Sequence, residues 1–216
     1  MDRMIYLSMA GAKATMQRQD VLANNLANAS TTGFRAELQA LRAVPVRGDG
    51  ASTRVYALET TTGYDATPGA VSSTGRPLDV AMQGNAWLAV QGLDGTEAYT
   101  RMGALQVGPD GTLATASGLT VMGDGGPIAI PPNTEPSIGA DGTVSVRQAN
   151  GTVNGVGRLK LVTPEAPLAR GADGLFRAAD GDLPADPNAR LQDGALEGSN
   201  VNPIENMVAM IAARTA

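Results

Sequence analysis

Between residues 71 and 180 the apolar residues come only in short runs: "LDVAMQG", "AWLAVQG", "ALQVG", "TLATASG", "LTVMG", "PIAIP", "TVSVRQ" and "RLKLVT". Nearly all are bounded by Gly, Pro, Asp or Asn, and several alternate apolar with polar or small residues, the period of a strand with one buried face. Such a stretch predicts many short strands joined by tight turns, not long packed helices. The 27 Gly, 13 Pro and 3% aromatic residues point the same way. With 43% hydrophobic residues among 216, the chain can still bury a core.

Within this stretch one unit recurs, "GPDGTL" at 108, "GADGTV" at 139 and "GADGLF" at 171, spaced by 31 and 32 residues. Asp-Gly supplies the backbone freedom for a tight or bulged hairpin turn, and the next residue starts the return strand. Three short copies do not make a solenoid. They predict one turn chemistry reused in one β domain.

The two ends read differently. Ile5, Met9, Ala12, Met16, Ala23 and Leu26 recur at steps near three and four, interrupted only by Gln19, and predict one amphipathic helix over 4–28. At about 1.5 Å per residue it is about 37 Å long. Its narrow apolar seam suits another helix better than a broad core. At the far end Asn202 is a good N-cap, Pro203 fits the first turn and Glu205 the capping box. Ile204, Met207, Val208 and Ile211 then form a second apolar stripe on a helix of about 14 residues, marginal alone in water and in need of a partner. Between them, "RAELQALRAVPVRGDGA" after Phe34 predicts a second helical piece, 47–70 strands and loops, and 178–194 a loop leaving the β body.

The domain reading is therefore 1–34 for the N-terminal helix and its polar end, 35–70 connecting, and 71–180 for the β-rich body. A return loop follows at 181–200, and 201–216 starts the C-terminal helix. The fold class is mainly β, with a terminal amphipathic α-helix at each end.

Several function classes are disfavoured. A net charge of −5 with no basic run gives no general attraction to nucleic acid. No cysteine and no histidine are present, which removes thiolate chemistry, disulfides and the commonest general base and metal ligand. No apolar run of about 18 residues exists, so membrane insertion by a helix is not expected. The opening "MDRMIYLSMAGAKA" imitates a secretory signal only weakly: Asp2 is acidic, Ser8 interrupts the apolar stretch and the helical pattern runs on. No cleavage is expected.

The residual chemical candidates are weak. Asp180, Asp182 and Asp186 with Asn188 could offer oxygens to calcium, but Pro184 intervenes and the EF-hand Gly and Glu are missing. They remain the basis of an alternative, a secreted β-rich binding module or hydrolase. "GVGRLK" at 155–160 lacks the third glycine of a dinucleotide fingerprint and the GK[ST] of a phosphate loop. Lys13 and Lys160 are the two lysines, and both read as solvated charge. "NAS" at 28–30 fits a glycosylation pattern, yet reads better as structure, with Asn28 ending the helix in left-handed geometry and Gly33 at positive φ. Asn24 and Asn25 sit inside the helix, where Asn is a poor former, and predict a polar lock on neighbouring backbone that adds register specificity. No catalytic residue, metal, cofactor or small-molecule substrate is expected.

"NNLANASTTGF" at 24–34 and "LEGSNVNPIENMVAMI" at 196–211 resemble the two terminal hallmarks of the flagellar axial proteins, the family of rod and hook subunits. "TGRPLDVAMQGNAWLAVQ", "YTRMGALQV", "DGTLATASGLTVMG" and "GPIAIP" resemble stretches of its rod members, so the likeness covers nearly the whole chain. "MDRMIYLSMAGAK" with "STTGFRAEL" is most similar to the proximal-rod branch, with a distal-rod or hook-type subunit as the alternative. The resemblance implies terminal helices that pair with each other and with neighbouring subunits in an inner tube, inside an outer β domain. It also implies other rod subunits and further copies of the chain as partners, and passage unfolded through the flagellar type III export apparatus without a cleaved signal. The implied location is the periplasm-spanning basal-body rod.

Carried onto this chain, the motif positions are Asn24, Asn25, Leu26, Asn28, Thr31, Thr32, Gly33 and Phe34, then Glu197, Gly198, Ser199, Asn200, Val201, Asn202, Pro203, Ile204, Met207 and Val208. With Ile5, Met9, Ala12, Met16 and Ile211 they make up the expected assembly interface. The family's C-terminal helix also implies a few more turns than "AARTA" provides.

Overall fold

A computed structural model describes residues 4–45 and 55–215. The chain divides into two compact units. One holds residues 1–30, 35–67 and 200–216, and the other residues 31–34 and 68–199.

The first unit contains helix α1 (Met4–Ala27), strands β1 (Glu37–Pro45) and β2 (Val55–Tyr64), and helix α2 (Pro203–Thr215). At the end of α1 the Asn24 carbonyl accepts from both the backbone N–H of Asn28, at 3.1 Å, and the Asn28 side chain, at 2.9 Å. Asn28 therefore ends the helix by side-chain capping and not, as expected, by a left-handed backbone; among the described non-glycine residues only Asn133 has positive φ. The α2 start matches the expected N-cap: Asn202 Oδ1 accepts from the backbone N–H of Ile204 and Glu205, with Pro203 in the first turn.

The expected second helical piece after Phe34 is a strand. β1 pairs antiparallel with β2, from Glu37 against Tyr64 to Pro45 against Val55, with a bulge at Leu38/Gln39. "ELQALRA" has good helix formers, but the ladder offered by the β-branched "VYALETTTGY" outweighs that local preference.

The second unit is built on a five-stranded sheet in the spatial order Leu161–Val162, Trp87–Gln91, Glu97–Thr100, Phe176–Arg177, Ala169–Arg170. A three-stranded meander, Glu135–Ile138, Thr143–Arg147 and Val153–Arg158, and several two-stranded pairs complete it. The apolar runs supply one continuous core that includes Val80, Leu88, Val90, Leu113, Val144 and Leu161. The segment expected to leave as a loop instead returns two strands to the body. Leu191–Asp193 pairs with Val80–Met82, and Ala195–Glu197 with Val71–Ser73. Three-residue strands are too short to show a period, and their partners lie more than a hundred residues away.

The repeated unit is a three-residue hairpin loop, a type I turn closed by a glycine in left-handed conformation. At 108–112 the Gly108 N–H donates to the Thr112 carbonyl, Gly111 N–H donates back to Gly108, and Gly111 has φ +79°. Asp110 Oδ1 accepts from the Thr112 N–H and hydroxyl. The same pairing recurs at 139–143 and 171–175, and at two places that the sequence pattern did not single out, "GLDGT" at 92–96 and "QANGT" at 148–152.

These contacts hold four carboxyls below their ordinary range: Asp94 and Asp110 through Thr96 and Thr112 hydroxyls, Asp141 through the Thr143 N–H, and Asp173 through Arg177. A carboxyl depressed on folding contributes stability above its unfolded value, about 3.9, and loses it as pH falls through the folded value. The melting temperature should therefore hold from neutral pH to about 5 and fall below about 4. A variant with all four Asp→Asn should show a shallower acid fall in the same titration.

Candidate assembly surface

Within the helical unit, one asparagine of each terminal motif, Asn25 and Asn200, grips adjacent backbone. Asn25 is buried; its Oδ1 accepts from Glu37 N–H at 2.9 Å and its Nδ2 donates to the Glu37 carbonyl at 3.0 Å. The side-chain amide thus pairs with one peptide as a strand would. Asn200 Oδ1 accepts from Ala36 N–H at 2.7 Å, while its Nδ2 donates to the carbonyls of Asp65 and Thr67 at 3.0 Å each. α1 ends and α2 begins where these amides hold residues 36 and 37, and the two helices pack on each other from there. Asn24 has an exposed side chain and offers only its carbonyl, to Asn28.

The helix pair buries small residues, Ala14 on α1 and Ala213 on α2. Its apolar stripes point elsewhere. Met9 and Met16 are 62% and 66% exposed, and Ile204, Met207, Val208 and Ile211 are between 50% and 73% exposed. Ala12 is also exposed and Leu26 half-buried, while the Ile5 side chain lies outside the described residues.

Within the β unit, the other motif residues converge on one buried ion pair. Arg101 and Glu197 side chains are 2% and 1% exposed, with Arg101 Nη2 2.6 Å and Nε 2.7 Å from Glu197 Oε2. Arg101 also donates to the carbonyls of Met82, Gly84 and Ala86, so its fork is filled. Glu197 Oε1 accepts from Gly69 N–H at 2.9 Å, and the Glu197 carbonyl accepts from Gly33 N–H at 2.8 Å. Gly33 has φ +69°, and a Cβ there would overlap the Arg101 carbonyl. Phe34, next to it, is buried under the Arg170 guanidinium, 4.6 Å from its ring centroid. One residue, Glu197, thus ties together segments 31–34, through its carbonyl, and 68–70, through its carboxylate, with 195–199; these are where the chain enters and leaves this unit. Val201 is buried, and Thr31 and Thr32 are half-buried.

Sequence reasoning named Glu197 as a motif residue but not its partner. The available signal was the lone cation in "YTRMGAL", a charge inside a strand-forming run. Lys160, expected to be solvated, is instead half-buried, its Nζ 2.7 and 2.8 Å from the Glu97 oxygens. Tyr99 donates to the same carboxylate and accepts from Leu183 N–H; burial pushes its hydroxyl well above the ordinary tyrosine range. The acidic loop does not gather: Asp186 accepts from the Thr163 hydroxyl and the Asn188 N–H. Among the described residues no three acidic side chains come together as metal ligands would.

Comparison with known proteins covers both ends and the middle of the chain. Residues 5–35 match the family model for flagella basal body rod proteins, 81–146 the flagellar hook protein FlgE/F/G D1 domain, and 192–216 the flagellar basal body rod FlgEFG C-terminal region. The flagellar basal-body rod protein FlgF of Salmonella typhimurium is 51% identical over 98% of this chain and 88% of its own. The chain belongs to the flagellar basal-body rod protein family. FlgF of Caulobacter vibrioides is 34% identical over 100% of this chain and 89% of its own, and FlgG of Bacillus subtilis 32% over 98% and 90%. Within the rod family this chain is FlgF-like. The two terminal matches contain both gripping asparagines' neighbourhoods and Glu197, while the middle match spans the central strands of the sheet.

Proposed function

We propose that this chain is a structural subunit of the flagellar basal-body rod and that it polymerises through the apolar faces of α1 and α2 into the hollow shaft that transmits torque. The observation that carries this reading is the α2 stripe: Ile204, Met207, Val208 and Ile211 are all at least half exposed on a helix of 13 residues. Exposed contiguous apolar surface of this kind marks an interaction site. Burying one such side chain is worth about 1.5–3 kcal/mol, so a stripe of four, repeated by every copy, offsets the cost of ordering the helices.

Its partners in this reading are other rod subunits and further copies of itself. Terminal helices that gain most of their stability on assembly suit export unfolded through the type III apparatus without a cleaved signal. The greater identity to FlgF than to FlgG favours the proximal over the distal rod. The acidic-loop reading gains nothing from the Asp186 geometry.

The decisive experiment replaces Ile204 and Ile211 together by Asp. The β unit should keep its melting temperature while incorporation into basal bodies is lost. Normal rods built from this variant would refute the reading.

A further inference from the structure

Among the described side chains, three helix methionines are exposed, while Met210 on α2 is half-buried. Met9 and Met16 are two turns apart on one face of α1, and Met207 lies within the α2 stripe between Ile204 and Ile211. Met82, in contrast, is 3% exposed in the β core. The chain has no cysteine to consume an oxidant first. Oxidation follows access to the sulfur, which separates the two classes.

We propose that Met9, Met16 and Met207 are peroxide-oxidisable positions that make association through these faces redox-sensitive. Each thioether sulfur donates a lone pair to one oxygen of hydrogen peroxide. The O–O bond breaks, an S–O bond forms, and the second oxygen leaves as water after proton transfer. The sulfur is oxidised by two electrons and the peroxide reduced by two. The product is a polar sulfoxide whose oxygen needs a hydrogen-bond donor. In the free subunit water supplies that donor, and the fold is unaffected because these side chains stand outside the core. On a face that a neighbour must desolvate, the oxygen is left unsatisfied and opposes contact. A subunit already packed in a polymer shields the same sulfurs. The inference rests on the proposed assembly face.

The test treats the purified full-length chain with dilute hydrogen peroxide, maps sulfoxides by peptide mass spectrometry and measures concentration-dependent association by sedimentation. Met9, Met16 and Met207 should oxidise about twentyfold faster than Met82, in proportion to access. Association should fall on oxidation and return after treatment with methionine sulfoxide reductase. A chain carrying Met9→Leu, Met16→Leu and Met207→Leu should associate as before and resist peroxide. Oxidation of Met82 at the same rate overturns the proposal. So does unchanged association of the oxidised chain, equal sensitivity of the triple-Leu chain, or no association before treatment. If these fail while Ile204→Asp with Ile211→Asp still abolishes rod incorporation, only the oxidation inference falls.

Discussion

Glu197→Ala lowers the melting temperature of the β unit by roughly 10 °C, because removing one partner of a buried ion pair costs about 3–5 kcal/mol. The Arg101 guanidinium keeps its three carbonyl acceptors at Met82, Gly84 and Ala86 but loses the anion that balances its charge in a site only 2% exposed. Gly69 N–H also loses its acceptor. Glu197→Gln keeps the shape and an oxygen for Gly69, so it should lose less than the alanine variant. Changing both partners, Arg101→Met with Glu197→Leu, should recover part of the loss, since no uncompensated charge then remains. Differential scanning calorimetry of the four chains checks the order. A Glu197→Ala chain that melts within about 2 °C of the parent would show that the pair adds little beyond an exposed bridge.

Gly33→Ala is the second large effect and acts on the same place from the other side. A left-handed backbone costs a non-glycine residue about 1–2 kcal/mol, and forced overlap in a packed site adds about 1–3. The overlap here is with the Arg101 carbonyl, which cannot retreat easily because the Arg101 side chain is fixed at four acceptors. Gly95→Ala separates the two contributions: its φ is +80°, and an added Cβ meets nothing within 4 Å. That variant should lose only the conformational part, while Gly33→Ala should lose more than twice as much by urea titration. Equal losses at the two positions would mean that the segment 31–34 shifts to make room. Because Gly33→Ala strikes the carbonyl of the same Arg101 whose side chain Glu197 holds, the double variant should lose less than the sum of the Gly33→Ala and Glu197→Ala losses.

The β body was legible because its evidence is local. "AWLAVQG" is a short continuous apolar run, "TVSVRQ" carries its own alternation, both are bounded by turn residues, and Trp87–Gln91 and Thr143–Arg147 follow directly. The Asp-Gly turns were legible for the same reason, since each closes on itself within five residues. β1 was misread because "ELQALRA" is helical by propensity, and the strand that overrules it starts about ten residues beyond Pro45. The strands at Leu191–Asp193 and Ala195–Glu197 left no period to read, and their pairing partners lie at 80–82 and 71–73.

The asparagines divide the same way. A poor helix former inside an apolar stripe pointed to Asn24 and Asn25 alike as locks on backbone; only Asn25 locks, and that its partner is Glu37 of the same chain was not readable. The apolar stripes of α1 and α2 and the two terminal motifs were properties of the sequence by itself, because helical spacing and local capping need only nearby residues. Only the tertiary structure decided that Ala14 and Ala213 are buried while Met9, Met16, Ile204 and Ile211 stay exposed. It alone also joined Arg101 to Glu197 across 96 residues. Both outcomes depend on which distant surfaces meet, and the free energy of that meeting is not written in any single stretch of the chain.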